Sequence, residues 1–117
     1  FENDLNIDHQ IIYRAVITAS RPLSKTFVNK IYSFEIPSST DFFVSRKSKK
    51  IFNPNFFINV DSTIDKKINL LKIYTDEIKK WPHSRSLKSI KNLAMYRGSQ
   101  IGIKYAEAFI IVRELQN

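Results

Sequence analysis

The stretch DLNIDHQ, residues 4 to 10, sets a histidine behind a carboxylate at the head of an apolar helical pattern. Three uses of such an imidazole are open: metal ligand, part of a helix start, or satisfied core side chain. The chain has two histidines and no cysteine, so thiolate metal sites and thiolate nucleophiles are excluded. A catalytic zinc takes three protein ligands and keeps one position for water, whose pKa falls to about 7. His9 and His83 stand far apart in sequence, and neither belongs to a His-x-x-x-His pair. A self-contained site therefore needs the fold to bring both together with an Asp. Taken alone, His9 reads more simply as a helix-start or core histidine.

Other side chains could contact a ligand. Glu35, in SFEIPSST, closes a strand beside a long polar loop, where an ordinary strand-end carboxylate is equally at home. His83 and Arg85, in PHSRS, lie between two helices, where a loop can offer donors to a sugar or a phosphate. Ser84 and Ser86 beside them suit plain helix capping instead. Tyr105 and Glu107, in YAEAF, open the last strand, where side chains can face a crevice or, at an edge, water; one of the two is read as functional. YRGSQ, residues 96 to 100, reads as packing and helix termination.

These residues need elements to position them. QIIYRAVITAS places Ile11, Ile12, Ala15, Val16 and Ala19 on one face at helical spacing, and Arg21-Pro22 stops the pattern, which predicts a helix of about three turns with that face inward. FVNKIYSFEI, residues 27 to 36, is rich in β-branched and aromatic residues and predicts a strand running into a loop from Pro37 to about Lys50. FFINV, residues 56 to 60, predicts a second strand. Ser62 and Asp65 then have capping-box spacing for a helix whose inward stripe is Ile64, Ile68, Leu71 and Ile78, broken by Trp81-Pro82. A third helix is predicted from about Ser86, with Leu87, Ile90, Leu93, Ala94 and Ile101 inward and Gly98 and Gly102 allowing close packing or a helix end. AFIIVREL, residues 108 to 115, predicts the last strand. The order points to an α/β layered fold without internal repeat or dividing linker. Three strands after a leading helix make only the later part of a parallel sheet, so the chain reads as part of a domain that begins upstream of Phe1.

At 117 residues, 43 % apolar and 13 % aromatic, the chain is long enough for a core and is not of a disordered class. No apolar run approaches the roughly 18 residues of a membrane span, and the lack of cysteine and of an apolar leader points to a reducing cytoplasm. The formal charge of +8 gathers in SRKSKK, residues 45 to 50, and KKWPHSRSLKSIK, residues 79 to 91. Such a balance suits an anionic polymer such as nucleic acid, and a basic interaction module is the alternative function class. Lysines that merely solvate helix faces explain it more simply, with no RNA-binding or helix-turn-helix signature beside them.

DLNIDH, RAVITASRP, IYSFEIPSST, FNPNFFINV, DKKINLLKIY, PHSRS, YRGSQIG and YAEAF occur in this order from Asp4 to Glu114. Together they resemble the C-terminal half of the PIG-L or LmbE-like zinc deacetylases. The resemblance implies a Rossmann-like α/β sandwich and zinc-dependent removal of an acetyl group from an N-acetylated sugar of the N-acetylglucosamine type. It implies that His9 is a zinc ligand, that Asp8 orients a neighbour, and that Asn6 stands where many members carry a histidine that stabilises the oxyanion. An amide can donate one hydrogen bond there but carries no positive charge. Glu35, His83, Arg85, Tyr105 and Glu107 are then expected at the substrate. Nothing in residues 1 to 117 reads His-Pro-Asp-Asp, the family's other metal motif and the source of its general base, so these residues alone are expected to be inactive. The implied partner is the acetylated sugar or glycoconjugate, with no nucleic acid and no membrane span; a homo-oligomer is compatible with this reading.

Overall fold

The computed structural model describes residues 1–22, 28–42 and 51–116. The elements are α1 (Ile7–Ala19), β1 (Lys30–Phe34), β2 (Phe56–Asn59), α2 (Ile64–Leu71), α3 (Leu87–Ser99) and β3 (Ala106–Glu114). The three strands form one sheet in the order β1-β3-β2. β1 runs antiparallel to β3 from Lys30 opposite Glu114 to Phe34 opposite Phe109, with a register shift between Ile31 and Tyr32. Backbone bonds from Asn55 N to Phe109 O and from Val60 N to Tyr105 O give β2 the same antiparallel sense along β3. The fold is thus α/β, but among the described residues neighbouring strands run antiparallel rather than in the parallel arrangement expected from the order of elements. The 43–50 part of the long loop, with the whole SRKSKK run, lies outside the described residues.

The chain divides into two units, residues 1–56 with 109–117, and residues 57–108. In the second, Val60, Ile64, Ala94 and Tyr105 form the core and Ile68 packs against it. α2 begins at Ile64 because Val60 and Ile64 must both reach that core, and its first turn is held by backbone bonds from Thr63 and Ile64 to Val60 O. The N-cap is Thr63, with no side-chain cap bond, so the Ser62–Asp65 capping box does not form. α2 ends at Leu71, leaving Ile78 in the turns that follow rather than on the helical stripe. α3 starts where the serine run indicates: Ser86 Oγ accepts from Ser89 N at 3.1 Å. It ends because the chain folds back over Gly98, whose carbonyl accepts from Ile101 N and Ile103 N. A Cβ on Gly98 would lie 2.6 Å from Ile103 O, so this return is open to glycine alone. Across the helix pair Lys91 Nζ lies 2.8 Å from Asp65 Oδ1. The hydrogen bond and charge of Lys91 hold the Asp65 carboxyl below the usual carboxylate range.

In the first unit, Tyr32 stacks on Phe56 with ring centroids 5.0 Å apart, and both approach Phe109. α1 corrects the sequence reading. None of its residues is buried, and Ile11, Ile12 and Val16, on the face expected inward, are 57, 59 and 43 % exposed. The partly covered positions are His9, Gln10, Tyr13 and Ile17, of which His9, Tyr13 and Ile17 make one stripe at four-residue spacing. No described helix is long and apolar enough to cross a membrane.

Gly98→Ala gains helix propensity but presses a methyl into backbone, and is expected to destabilise the protein by about 1–3 kcal/mol in urea unfolding. Because the folded pKa of Asp65 is lowered, the stability supplied by its pairing with Lys91 is present above the ordinary carboxylate range and lost as pH falls through the folded value. Wild type should accordingly exceed Lys91→Met in urea midpoint at about pH 7, with the gap shrinking by about pH 3.

Candidate functional site

The start of α1 is built around Asp4, whose side chain is 0 % exposed. Its Oδ1 accepts from Asn6 N at 3.2 Å, and its Oδ2 accepts from Thr40 Oγ1 at 2.9 Å. Thr40 Oγ1 in turn accepts from Ile36 N at 2.8 Å, so the turn after β1 is tied to the carboxylate. Leu5 N donates to Ser39 O, and Gln10 Nε2 donates to Asp4 O at 2.6 Å, closing the loop onto the helix. Ser38 takes a left-handed φ of 67° to make this turn. Burial pushes the Asp4 carboxyl up, but hydrogen bonds from Asn6, Thr40 and Ser39, with His9 nearby, more than offset it and leave the pKa below the ordinary value.

Asn6 is the N-cap of α1: its Oδ1 accepts from Asp8 N at 2.9 Å, which leaves its Nδ2 out of the cap bond. Asp8 is exposed. His9 follows in the first turn with 24 % of its side chain exposed, and its Nδ1 lies 3.4 Å from Asp4 Oδ2. That nitrogen is itself buried and makes no aligned hydrogen bond among the described residues, so the contact is a close approach of ring to carboxylate. The carboxylate beside His9 is thus Asp4, four residues ahead of the exposed Asp8. His9 also lines an apolar cavity of about 230 Å³ between α1 and β1, with Tyr13, Ile17, Ile31 and Ser33 among its walls. The buried Ser33 Oγ has no hydrogen-bond partner among the described residues.

The remaining residues singled out in the sequence are distributed differently. Glu35 is half-buried just past β1 in the first unit. His83, Arg85, Tyr105 and Glu107 all belong to the second unit. His83 Nδ1 accepts from Arg85 N at 3.0 Å, and Arg85 Nη1 pairs with Glu77, so both side chains organise the turn before α3. Tyr105 is in the core, its backbone N donating to Asp61 Oδ1 at 2.7 Å. Glu107 pairs with Lys67 at 2.7 Å. Among the described residues no three His, Asp or Glu side chains gather where they could hold a metal ion. The donor set near α1 therefore offers one imidazole backed by a carboxylate, which suits a single metal ligand and falls two short of a site.

No family model, curated protein or solved structure matches the chain.

Truncating Asp4 strands the N–H of Asn6 and the hydroxyl of Thr40 in a buried place. Asp4→Ala is expected to lose about 2–4 kcal/mol in urea unfolding, and Thr40→Val, which removes one donor and keeps the charge, about 1–2 kcal/mol.

Proposed function

We propose that the protein is a zinc-dependent N-deacetylase acting on an N-acetylated sugar, with residues 1–117 forming the later part of a Rossmann-like domain and His9 as one metal ligand. The observation that supports this reading is the arrangement at the head of α1: an imidazole with one nitrogen close to a buried carboxylate, in the first turn of a helix capped by the Oδ1 of Asn6. The sequence series from DLNIDH to YAEAF supplies the reaction class. A bound zinc supplies an acidified water and polarises the amide carbonyl. The other two ligands and the general base belong to a His-Pro-Asp-Asp motif that residues 1 to 117 do not contain.

Each group of this chain then has a limited task. His9 holds one corner of the cation. Asn6 Nδ2 donates to the oxygen that gains charge as the acetyl carbon becomes tetrahedral; as a neutral donor it stabilises that charge less than an imidazolium would. In net terms water adds its oxygen to the acetyl carbon, the carbon–nitrogen bond breaks, and the amine takes the proton, giving acetate and a free amino sugar. The exposed apolar face of α1, Ile11, Ile12 and Val16, supports the partial-domain reading, since a helix face of this kind is normally covered.

Zinc content and acetate release from an N-acetylated sugar, measured on the full-length protein, test this reading. His9→Ala is expected to lose most bound zinc and to cut acetate release by about 10²-fold or more. Full metal occupancy with undiminished release would remove His9 from the metal site.

A further inference from the structure

The reading above gives Asp4 no part. We infer that Asp4 is the positioning residue of His9: it holds the ring with an Nδ1–H turned inward and leaves Nε2 outward as the ligating atom. The use of Nε2 rests on the deacetylase reading; the orientation of the ring rests on geometry alone.

Three observations carry the inference. First, His9 Nδ1 is buried while about a quarter of the side chain remains exposed, so the accessible part of the side chain lies away from Nδ1. Second, the oxygen facing Nδ1 at 3.4 Å belongs to a carboxylate with no solvent contact. A lone pair on Nδ1 would oppose that oxygen where no water can intervene, whereas an N–H presents its positive end to it. The proton therefore belongs on Nδ1, and the lone pair on Nε2. Third, Asp4 cannot turn to follow the ring, because Asn6 N fixes one oxygen and Thr40 Oγ1 the other. A carboxylate held from two sides sets the plane in which the imidazole must lie, as outer carboxylates do for metal-bound histidines.

His83 provides an internal contrast. Its Nδ1 accepts a hydrogen bond from Arg85 N at 3.0 Å, so it must carry its proton on Nε2. The two histidines of the chain are thus opposite tautomers, and long-range ¹H–¹⁵N correlation spectra of metal-free, ¹⁵N-labelled protein, recorded with the imidazoles neutral, distinguish them. The expected spectrum shows His9, identified by its loss in His9→Gln, as the Nδ1–H form and His83 as the Nε2–H form. In Asp4→Asn, His9 should move to the Nε2–H form while His83 stays unchanged, and the zinc affinity of the full-length protein should fall about 10–100-fold. An Nε2–H His9 in wild type overturns the inference, as does a folded Asp4→Asn whose His9 keeps the wild-type form. If Asp4→Asn does not fold, the wild-type spectrum decides by itself: Nδ1–H upholds the inference and Nε2–H ends it. Expected tautomers in a full-length protein that binds no zinc would instead remove the deacetylase reading and leave the hold of Asp4 on the ring intact.

Discussion

The first unit depends on a carboxylate taken out of water. An unpartnered buried carboxylate costs several kcal/mol, so Asp4 can sit with no exposure only while its donors stay in place. Those donors come from two places: the backbone of the helix it precedes, and a threonine thirty-six positions along the chain. The dependence is mutual. Neither the start of α1 nor the turn after β1 can shift without stranding a charge, and His9, one turn into the helix, inherits that rigidity.

What lies inside this unit shows why a polar hub matters there. Among its described residues, Asp4, Ser33 and Ser39 are buried alongside one apolar side chain, Ile31. The second unit is built in the ordinary way, around Val60, Ile64, Ala94 and Tyr105. Hydrocarbon burial is non-directional and tolerates sliding; a hydrogen-bonded carboxylate does not. The first unit thus has a fixed geometry at the head of α1 with little hydrophobic interior, while much of its hydrocarbon, on the outer face of that helix, remains at the surface.

The local parts of this fold were legible in the sequence and the non-local parts were not. Ser86 followed by a helical pattern marked the start of α3, and Gly98 marked its close return, because cap and steric requirements act within a few residues. The α1 stripe was read at the right period but with the wrong face inward. Periodicity finds a stripe of hydrocarbon, and which stripe is covered depends on the elements available to cover it. The capping box at Ser62 and Asp65 failed because the core contact of Ile64 set the helix start. Asp65 instead serves Lys91 on the neighbouring helix. At the candidate site, His9 taken alone reads as a helix-start or core histidine, and only the resemblance singles it out as a ligand. Its partner was missed: Asp4 gains its meaning from Thr40, and the PSST run that carries Thr40 looks like any polar loop. Tyr105 and Glu107 were placed correctly near the start of β3, yet the structure engages them in the core and with Lys67.

The same geometry limits what chemistry the head of α1 can support. One imidazole does not hold a catalytic cation, so on the deacetylase proposal this turn supplies a prearranged corner of a site completed by other residues. Asn6 illustrates how closely that corner is constrained. Its Oδ1 is engaged by Asp8 N, so the amide cannot flip without losing the helix cap, and Nδ2 is the end left to donate. On the same proposal, capping, which needs an oxygen, and oxyanion stabilisation, which needs an N–H, would be met by the two ends of one amide. An imidazole at this position could supply the second but would cap the helix less readily through its ring nitrogen. On that proposal, a neutral donor at Asn6 would give less electrostatic strength than an imidazolium but a direction fixed by the helix cap.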